Sequence, residues 1–335
     1  MRTYLPAVLM ILFTANAAAE DVNIYSSRHY NTDHALYDEF TKTTGITVNL
    51  IEAKGDALIE RMTAEGGSSP ADVFITADGS RIARAVEAGL FQPISSDMLQ
   101  AAVPANLRHP DGFWFGLSTR VRAIIYAKDR VDPSQIKTYE DLTDPKWADK
   151  ICIRSSSNVY NQSLVASMIA ADGLEAAESW VSGIVANLAR NPQGGDTDQI
   201  KAVAAGECDI AVANHYYLAR LARSDKAEDS AVADDVGIIF PNQEGRGSHA
   251  NISAAGVAAH APNKDAAIQF IEYLATPSAQ AYFADGNNEY PVVEGVKLSP
   301  VLEEWGDFKT DAVAVTAFGQ NNADALKAMD RAGWQ

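Results

Sequence analysis

The chain has 335 residues, with 27 Lys and Arg against 44 Asp and Glu and a formal net charge of −17. That length suggests two lobes rather than one core. The acidic balance argues against nucleic acid and anionic lipid as partners, but it does not by itself name a ligand.

Residues 1–19 read as a secretory leader: Arg2 supplies the positive start, residues 5–13 the apolar stretch, and Ala15 to Ala19 a small-residue cleavage region before Glu20. The apolar stretch is too short to span a bilayer, and no later segment is long and apolar enough to do so. No cysteine lies near the cut, which argues against a lipid anchor there. The expectation is an exported, soluble, periplasmic protein.

Residues 22–27 predict a strand and 32–43 a helix, with Leu36 and Phe40 four apart and Gly45 at its end. A second strand follows at 46–51, a helix at 56–65 stopped by Gly66 and Gly67, a short apolar strand at 72–76, and a helix at 80–87 ended by Gly89. This alternation predicts a parallel sheet with helices on both faces. Residues 113–118 and 121–127 read as strands that run into each other and carry the chain to a second lobe. A helix start and turn at 139–147, a strand at 151–154, and helices at 162–171, 175–189 and 199–205 come next. A strand at 208–213 follows. Residues 241–253 read as a polar, Gly-rich loop, 254–259 as the return to the first lobe, and 264–274, 278–283 and parts of 312–331 as helices.

Three strand-to-helix turns carry tyrosine at the tip. They are Tyr30 behind His29, Tyr160 in the run after Cys152, and the pair Tyr216 and Tyr217. Ligands in open α/β sheets bind outside the carboxyl ends of strands, so these turns are placed to converge. A cluster of phenol oxygens plus one imidazole suits a hard, highly charged cation, and ferric iron is the leading candidate. Tyr25, Tyr37 and Tyr126 read as packing residues. His34, His109, His215, His249 and His260 show no metal-ligand spacing with one another, although His215, beside the tyrosine pair, is placed to hydrogen-bond near the site. Two cysteines in an exported chain favour a Cys152–Cys208 disulfide, with two buried free thiols as the alternative.

The stretches Tyr25-Ser-Ser-Arg-His-Tyr-Asn-Thr-Asp33, Ile153-Arg-Ser-Ser-Ser-Asn-Val-Tyr-Asn-Gln-Ser163 and Ala213-Asn-His-Tyr-Tyr217 resemble the periplasmic ferric-ion-binding proteins of ABC iron importers, in the subgroup seen in cyanobacteria and related bacteria. Asp72-Val-Phe-Ile-Thr-Ala-Asp78 and Gly116-Leu-Ser-Thr-Arg120 are similar to the family too, and the resemblance covers essentially the whole mature chain. It implies an α/β, two-lobed periplasmic binding protein fold, each lobe a mostly parallel sheet flanked by helices, hinged by crossing strands. The first lobe would hold residues 20–120 plus about 254–300, and the second 121–253 plus about 301–335. It further implies that Fe(III) is the transported ligand, free or chelated, held by Tyr30, Tyr160, Tyr216 and Tyr217, with His29 as a fifth ligand in some members. Arg28 and Arg154 lie in the ligand-bearing segments as cations behind the phenolates, or else as exposed side chains or lobe–lobe ion pairs. The partner implied is an inner-membrane ABC permease, and the protein is expected to be a monomer without catalytic activity. Many relatives outside the subgroup add a carboxylate and a bound anion, and no residue here is assigned to that carboxylate.

A free tyrosine has a pKa near 10 and is neutral at pH 7, so a bound cation must drive off its proton. Three phenolates neutralise a ferric ion and four leave the site at minus one, which favours Fe(III) over Fe(II). Two other readings compete. One is a polyamine, oxyanion or organic solute in the same fold, although the turns are poor in the carboxylates that a polyamine needs. The other is an iron-tyrosinate enzyme, which needs an open coordination position and usually two histidines.

Overall fold

The computed structural model describes residues 20–28 and 30–335. The expected leader at 1–19 and the side chain of His29 therefore lie outside the described residues. The first unit is three parallel strands, β1 (Asp21–Ser26), β2 (Thr47–Glu52) and β3 (Val73–Ala77), interleaved with α1 (Asn31–Thr44), α2 (Gly55–Glu65) and α3 (Gly79–Glu87). Their order is β2-β1-β3. Each helix boundary has a local cause. Gly45 takes the left-handed conformation (φ 79°) that ends α1, and the Asp78 carboxylate caps α3 by accepting the Ser80 N–H.

After α4 (Asp97–Ala102) the chain enters one long strand, β4 (Phe115–Ala127), where the sequence predicted two. A register shift between Gly116 and Ser118 bends it without breaking it. Up to Val121 it pairs antiparallel with β8 (Ala250–Val257), which sits beside β3 in the first sheet. From Arg122 onwards it pairs antiparallel with the strands of the second sheet, so one strand serves both. That second sheet contains β5 (Ile151–Cys152), followed by α5 (Val159–Asp172), α6 (Leu174–Ala186) and α7 (Asp196–Ala204). The next strand, β6 (Ile210–Asn214), lies parallel to β5 and leads straight into α8 (His215–Ala222). Then come α9 (Ala227–Asp235) and β7 (Val236–Ile239) on the other flank of β4. The parallel strands of each half are thus joined by the antiparallel crossing strands β4 and β8.

The loop predicted at 241–253 closes four residues early, because β8 begins at Ala250. Its polar residues Asn251 and Ser253 hid it: both are buried, with Asn251 accepting the Gly79 N–H at 2.8 Å and Ser253 accepting from Arg28 at 2.7 Å. The chain ends with α10 (Lys264–Leu274), α11 (Pro277–Ala281), a two-residue β9 (Tyr290–Pro291) on β4, and then α12 (Pro300–Trp305), α13 (Thr316–Gln320) and α14 (Asn322–Arg331).

Two cores follow from this layout. Leu36, Phe40 and Phe270 pack under the first sheet, with Phe40 edge-on to Phe270 at 5.0 Å. Leu164, Trp180, Met329 and Trp334 pack under the second. At the junction α13 presses so close that a Cβ on Gly79 would lie 2.5 Å from Val315, which explains glycine at the head of α3. Buried Asp78 joins three elements there, accepting from Ser163 of α5 at 2.7 Å and from Asn251 of β8 at 2.7 Å. Cys152 and Cys208 form a disulfide with Cα atoms 5.9 Å apart, tying β5 to the entry of β6. Among the described residues no helix is long and apolar enough to cross a membrane.

Candidate metal centre

The three tyrosine-bearing turns lie at one end of the two sheets. Tyr30 occupies the N-cap position of α1, directly after the β1 turn. Tyr160 sits in the first turn of α5, where the Asn158 side chain accepts its N–H at 3.2 Å. The sequence placed that helix start later, at Gln162; the Asn158 cap starts it three residues earlier and turns Tyr160 into a helical position. Tyr216 and Tyr217 open α8 at the end of β6.

These side chains meet. The rings of Tyr216 and Tyr217 are 4.4 Å apart, and Tyr30 stands edge-on to Tyr216 at 6.5 Å. Tyr160, Tyr30 and Tyr217 all lie near enough to Tyr216 that a negative charge on any of them would raise its pKa. A cleft of about 570 Å³ opens onto Tyr160 and Tyr217 and is edged by Arg28, Lys54, Arg81 and Arg154.

Burial is the main force on the phenols. It pushes Tyr30 up to about 12, with the Glu289 carboxylate adding to the effect. It raises Tyr216 and Tyr217 as well, helped in both by Tyr160 and Tyr30 and, in Tyr217, by Asp196. Without a cation these phenols are therefore neutral at pH 7, more firmly so than a free tyrosine. A cation that enters must displace protons, and only a highly charged one recovers that cost.

The charges behind the phenols come largely from residues that sequence reasoning passed over. Glu289 is wholly buried and accepts from Tyr30 Oη at 3.2 Å and from Ser118 at 2.6 Å. It also pairs with Arg120 at 2.5 Å and Arg28 at 3.1 Å. Burial alone would raise its pKa, but the two guanidinium groups and the Ser118 hydroxyl overcome that and hold it down at about 2. Arg28 is buried rather than an exposed side chain. It pairs with Asp33 at 2.7 Å and lies 4.7 Å from the Tyr30 ring centre. Arg154 is partly exposed, 5.7 Å from the Tyr160 ring and 3.7 Å from Asp196. Arg120 is buried 5.6 Å from the Tyr216 ring.

Arg220 is placed differently. Its guanidinium lies 4.5, 5.0 and 5.5 Å from the ring centres of Tyr30, Tyr216 and Tyr217. Its Nη2 is buried without a hydrogen-bond partner among the described residues. One signal in the sequence could have found it: on α8 it stands four residues after Tyr216 and three after Tyr217, which is one helix face. Arg120 and Glu289 carried no such signal, because they reach the site from β4 and from the turn before β9. His215 is not turned to the phenols as a donor. Its Nδ1 accepts the Val121 N–H at 3.1 Å, its Nε2 donates to the Asn288 carbonyl at 2.9 Å, and burial lowers its pKa to about 4.

Residues 35–310 match the family described as bacterial extracellular solute-binding protein. The chain belongs to that family. Among solute-binding relatives it is 52% identical over 316 residues to iron uptake protein A1 of Synechocystis, covering 94% of this chain and 88% of the relative. It is 29% identical over 333 residues to the Fe(3+)-binding periplasmic protein of Serratia marcescens, covering 98% and 96%. The solute-binding fold superposes on the Trichodesmium protein FutA, solved with iron and citrate ligands, with a TM-score of 0.91 at 60% identity over 94% of this chain and 100% of the other. It likewise superposes on apo FutA2 of Synechocystis, with a TM-score of 0.90 at 50% identity over 95% and 100%.

Proposed function

We propose that this chain binds ferric iron, bare or as a carboxylate chelate, through the phenolates of Tyr30, Tyr160, Tyr216 and Tyr217, and delivers it to an inner-membrane ABC permease. The observation that carries this reading is the gathering of four phenols from three separate turns, with arginines beside them and Glu289, itself paired to Arg28 and Arg120, as the carboxylate in contact with Tyr30. Hard anionic oxygen donors select a hard trivalent cation. Four phenolates would leave a ferric site at minus one, and Arg220, close to three of the rings, would balance that charge. His29, the expected fifth donor, lies outside the described residues.

The ion would bridge two lobes. The proposed first lobe comprises residues 20–120 and about 254–300, and the second 121–253 and about 301–335. The change of partner along β4 at Val121 and Arg122 supports that border. Tyr30 belongs to the first lobe and the other three tyrosines to the second, so occupancy would favour the closed arrangement. Delivery of this kind places the protein in the periplasm as a monomeric carrier, exported by its first 19 residues, and requires no catalysis. The iron-bound and ferric-binding relatives support the ligand, and the relative solved with citrate supports a chelating carboxylate beside it.

The test is a titration of the metal-stripped protein with a weak ferric chelate, read by visible absorption alongside Tyr217→Phe. A phenolate-to-iron charge-transfer band that saturates at one equivalent, and that weakens or shifts in the variant, is the expected result. No band, together with no ferric protection against unfolding, would overturn the reading.

A further inference from the structure

Three of the four tyrosines come from two helices beside the second sheet, Tyr160 from α5 and the Tyr216–Tyr217 pair from α8, and one buried guanidinium touches the support of both. Arg122 of β4 is 1% exposed. Its Nη2 donates to the Asn161 side-chain oxygen at 2.6 Å, and its Nη1 donates to Asp196 at 2.7 Å and to the Asn214 side-chain oxygen at 3.2 Å. Asn161 follows Tyr160 directly. Its amide donates onward to the carbonyls of Arg154 at 2.9 Å and Ser155 at 3.3 Å, and so fixes the turn that delivers Tyr160. Asn214 is the N-cap residue of α8, two residues before Tyr216, and its N–H donates to Asp196 at 3.0 Å. Asp196, at the head of α7, accepts from Arg122 and Asn214 with one oxygen and lies 3.7 Å from Arg154 with the other. All four residues are buried.

We propose that the Arg122–Asp196–Asn161–Asn214 cluster is a positioning device that sets Tyr160 against the Tyr216–Tyr217 pair before the metal arrives, so that the second half of the site is preassembled. The proposal rests on the ferric-binding reading above and adds the residues that give the site its geometry. Tyr160 heads one helix and the tyrosine pair another, and nothing in the local backbone of either dictates their separation. Phenolate donors must stand within about half an ångström of their productive places, and an ordered support removes the cost of gathering them on binding. Arg122 suits the task because its fork is planar and always charged, and because it leaves β4 where that strand passes from the first sheet to the second. None of the four residues is a proposed ligand.

The experiment uses Asn161→Leu, which removes both the acceptor for Arg122 and the donor to the turn, and Asn161→Asp, which keeps the acceptor. Ferric affinity by chelator competition, the charge-transfer band and the unfolding midpoint of the metal-free protein are measured for each. Asn161→Leu is expected to bind ferric iron about 10- to 100-fold more weakly with a displaced band. Asn161→Asp keeps the Arg122 contact but not the donation to the Arg154 and Ser155 carbonyls, so it is expected to fall between Asn161→Leu and wild type in band position and affinity. An Asn161→Leu band and affinity equal to wild type would overturn the proposal, as would an Asn161→Asp band displaced as far as that of Asn161→Leu. Weaker binding in proportion to lost stability, with the band unmoved, would show a merely structural residue and overturn it too. Absence of the band in wild type would instead strike down the ferric reading and this inference with it.

Discussion

Replacing Glu289 with Gln tests whether the buried ion cluster behind Tyr30 behaves as its geometry says. The substitution keeps shape and one acceptor but removes the charge shared by Arg28 and Arg120. Arg28 keeps Asp33 as a partner at 2.7 Å, so Arg120 is the group left buried and uncompensated. Stranding one charge of a buried pair costs about 3–5 kcal/mol, and the retained Asp33 contact puts this case near about 3. The depressed pKa of the carboxyl gives a second figure for the same cluster. The carboxyl is held at about 2 instead of 4.5, which corresponds to about 3 kcal/mol of linkage. The sign follows from the depressed folded-state value: the contribution is fully present above the unfolded pKa of 4.5 and disappears as pH falls through about 2. Denaturant unfolding of metal-free wild type and Glu289→Gln at several pH values measures it. The gap should be about 3 kcal/mol at pH 7 and about half that at pH 3. A gap below about 1 kcal/mol at pH 7, or one that stays constant down to pH 3, would refute the argument.

Ferric affinity should rise steeply with pH, because each phenol proposed as a ligand gives up a proton and burial raises Tyr30, to about 12, along with Tyr216 and Tyr217. Competition against a chelator of known protonation should show a slope approaching four protons per ion between pH 5 and 8, reduced by about one in Tyr160→Phe. Arg220→Ala removes the guanidinium that faces three rings. It should weaken ferric binding about tenfold or more while the metal-free protein loses no more than about 1 kcal/mol per ring contact, as paired affinity and unfolding measurements would show. Replacing both Cys152 and Cys208 with Ala opens a loop spanning a sequence separation of 56, worth about 4 kcal/mol by chain entropy. Unfolding should register about 2–4 kcal/mol, and the charge-transfer band should stay in place.

The alternation of strands and helices in the chain up to Gly89 was legible because each element is amphipathic or apolar on its own scale and each helix stops at a glycine. Gly45 after α1 and Gly89 after α3 are examples. The tyrosines were legible because they stand at strand-to-helix turns, where a short stretch of chain decides both the element and the exposure. The disulfide was legible from compartment and count, and the structure closes it between buried cysteines.

What stayed hidden depends on contacts between residues remote in sequence. The start of β8 looked like a loop because Asn251 and Ser253 are polar, and only their partners on α3 and around Arg28 make them tolerable in a strand interior. Arg120, Arg122 and Glu289 look like any charged residue in a linear reading. They become part of the site because a strand that crosses between two sheets buries them, and burial forces each to find an opposite charge. The sequence by itself thus determined the donor chemistry of the proposed site, four phenols on three turns, since donor type is a property of single residues. The tertiary structure alone decided the electrostatic surroundings, because charge compensation in a low-dielectric interior depends on which distant residues share a few ångströms of space.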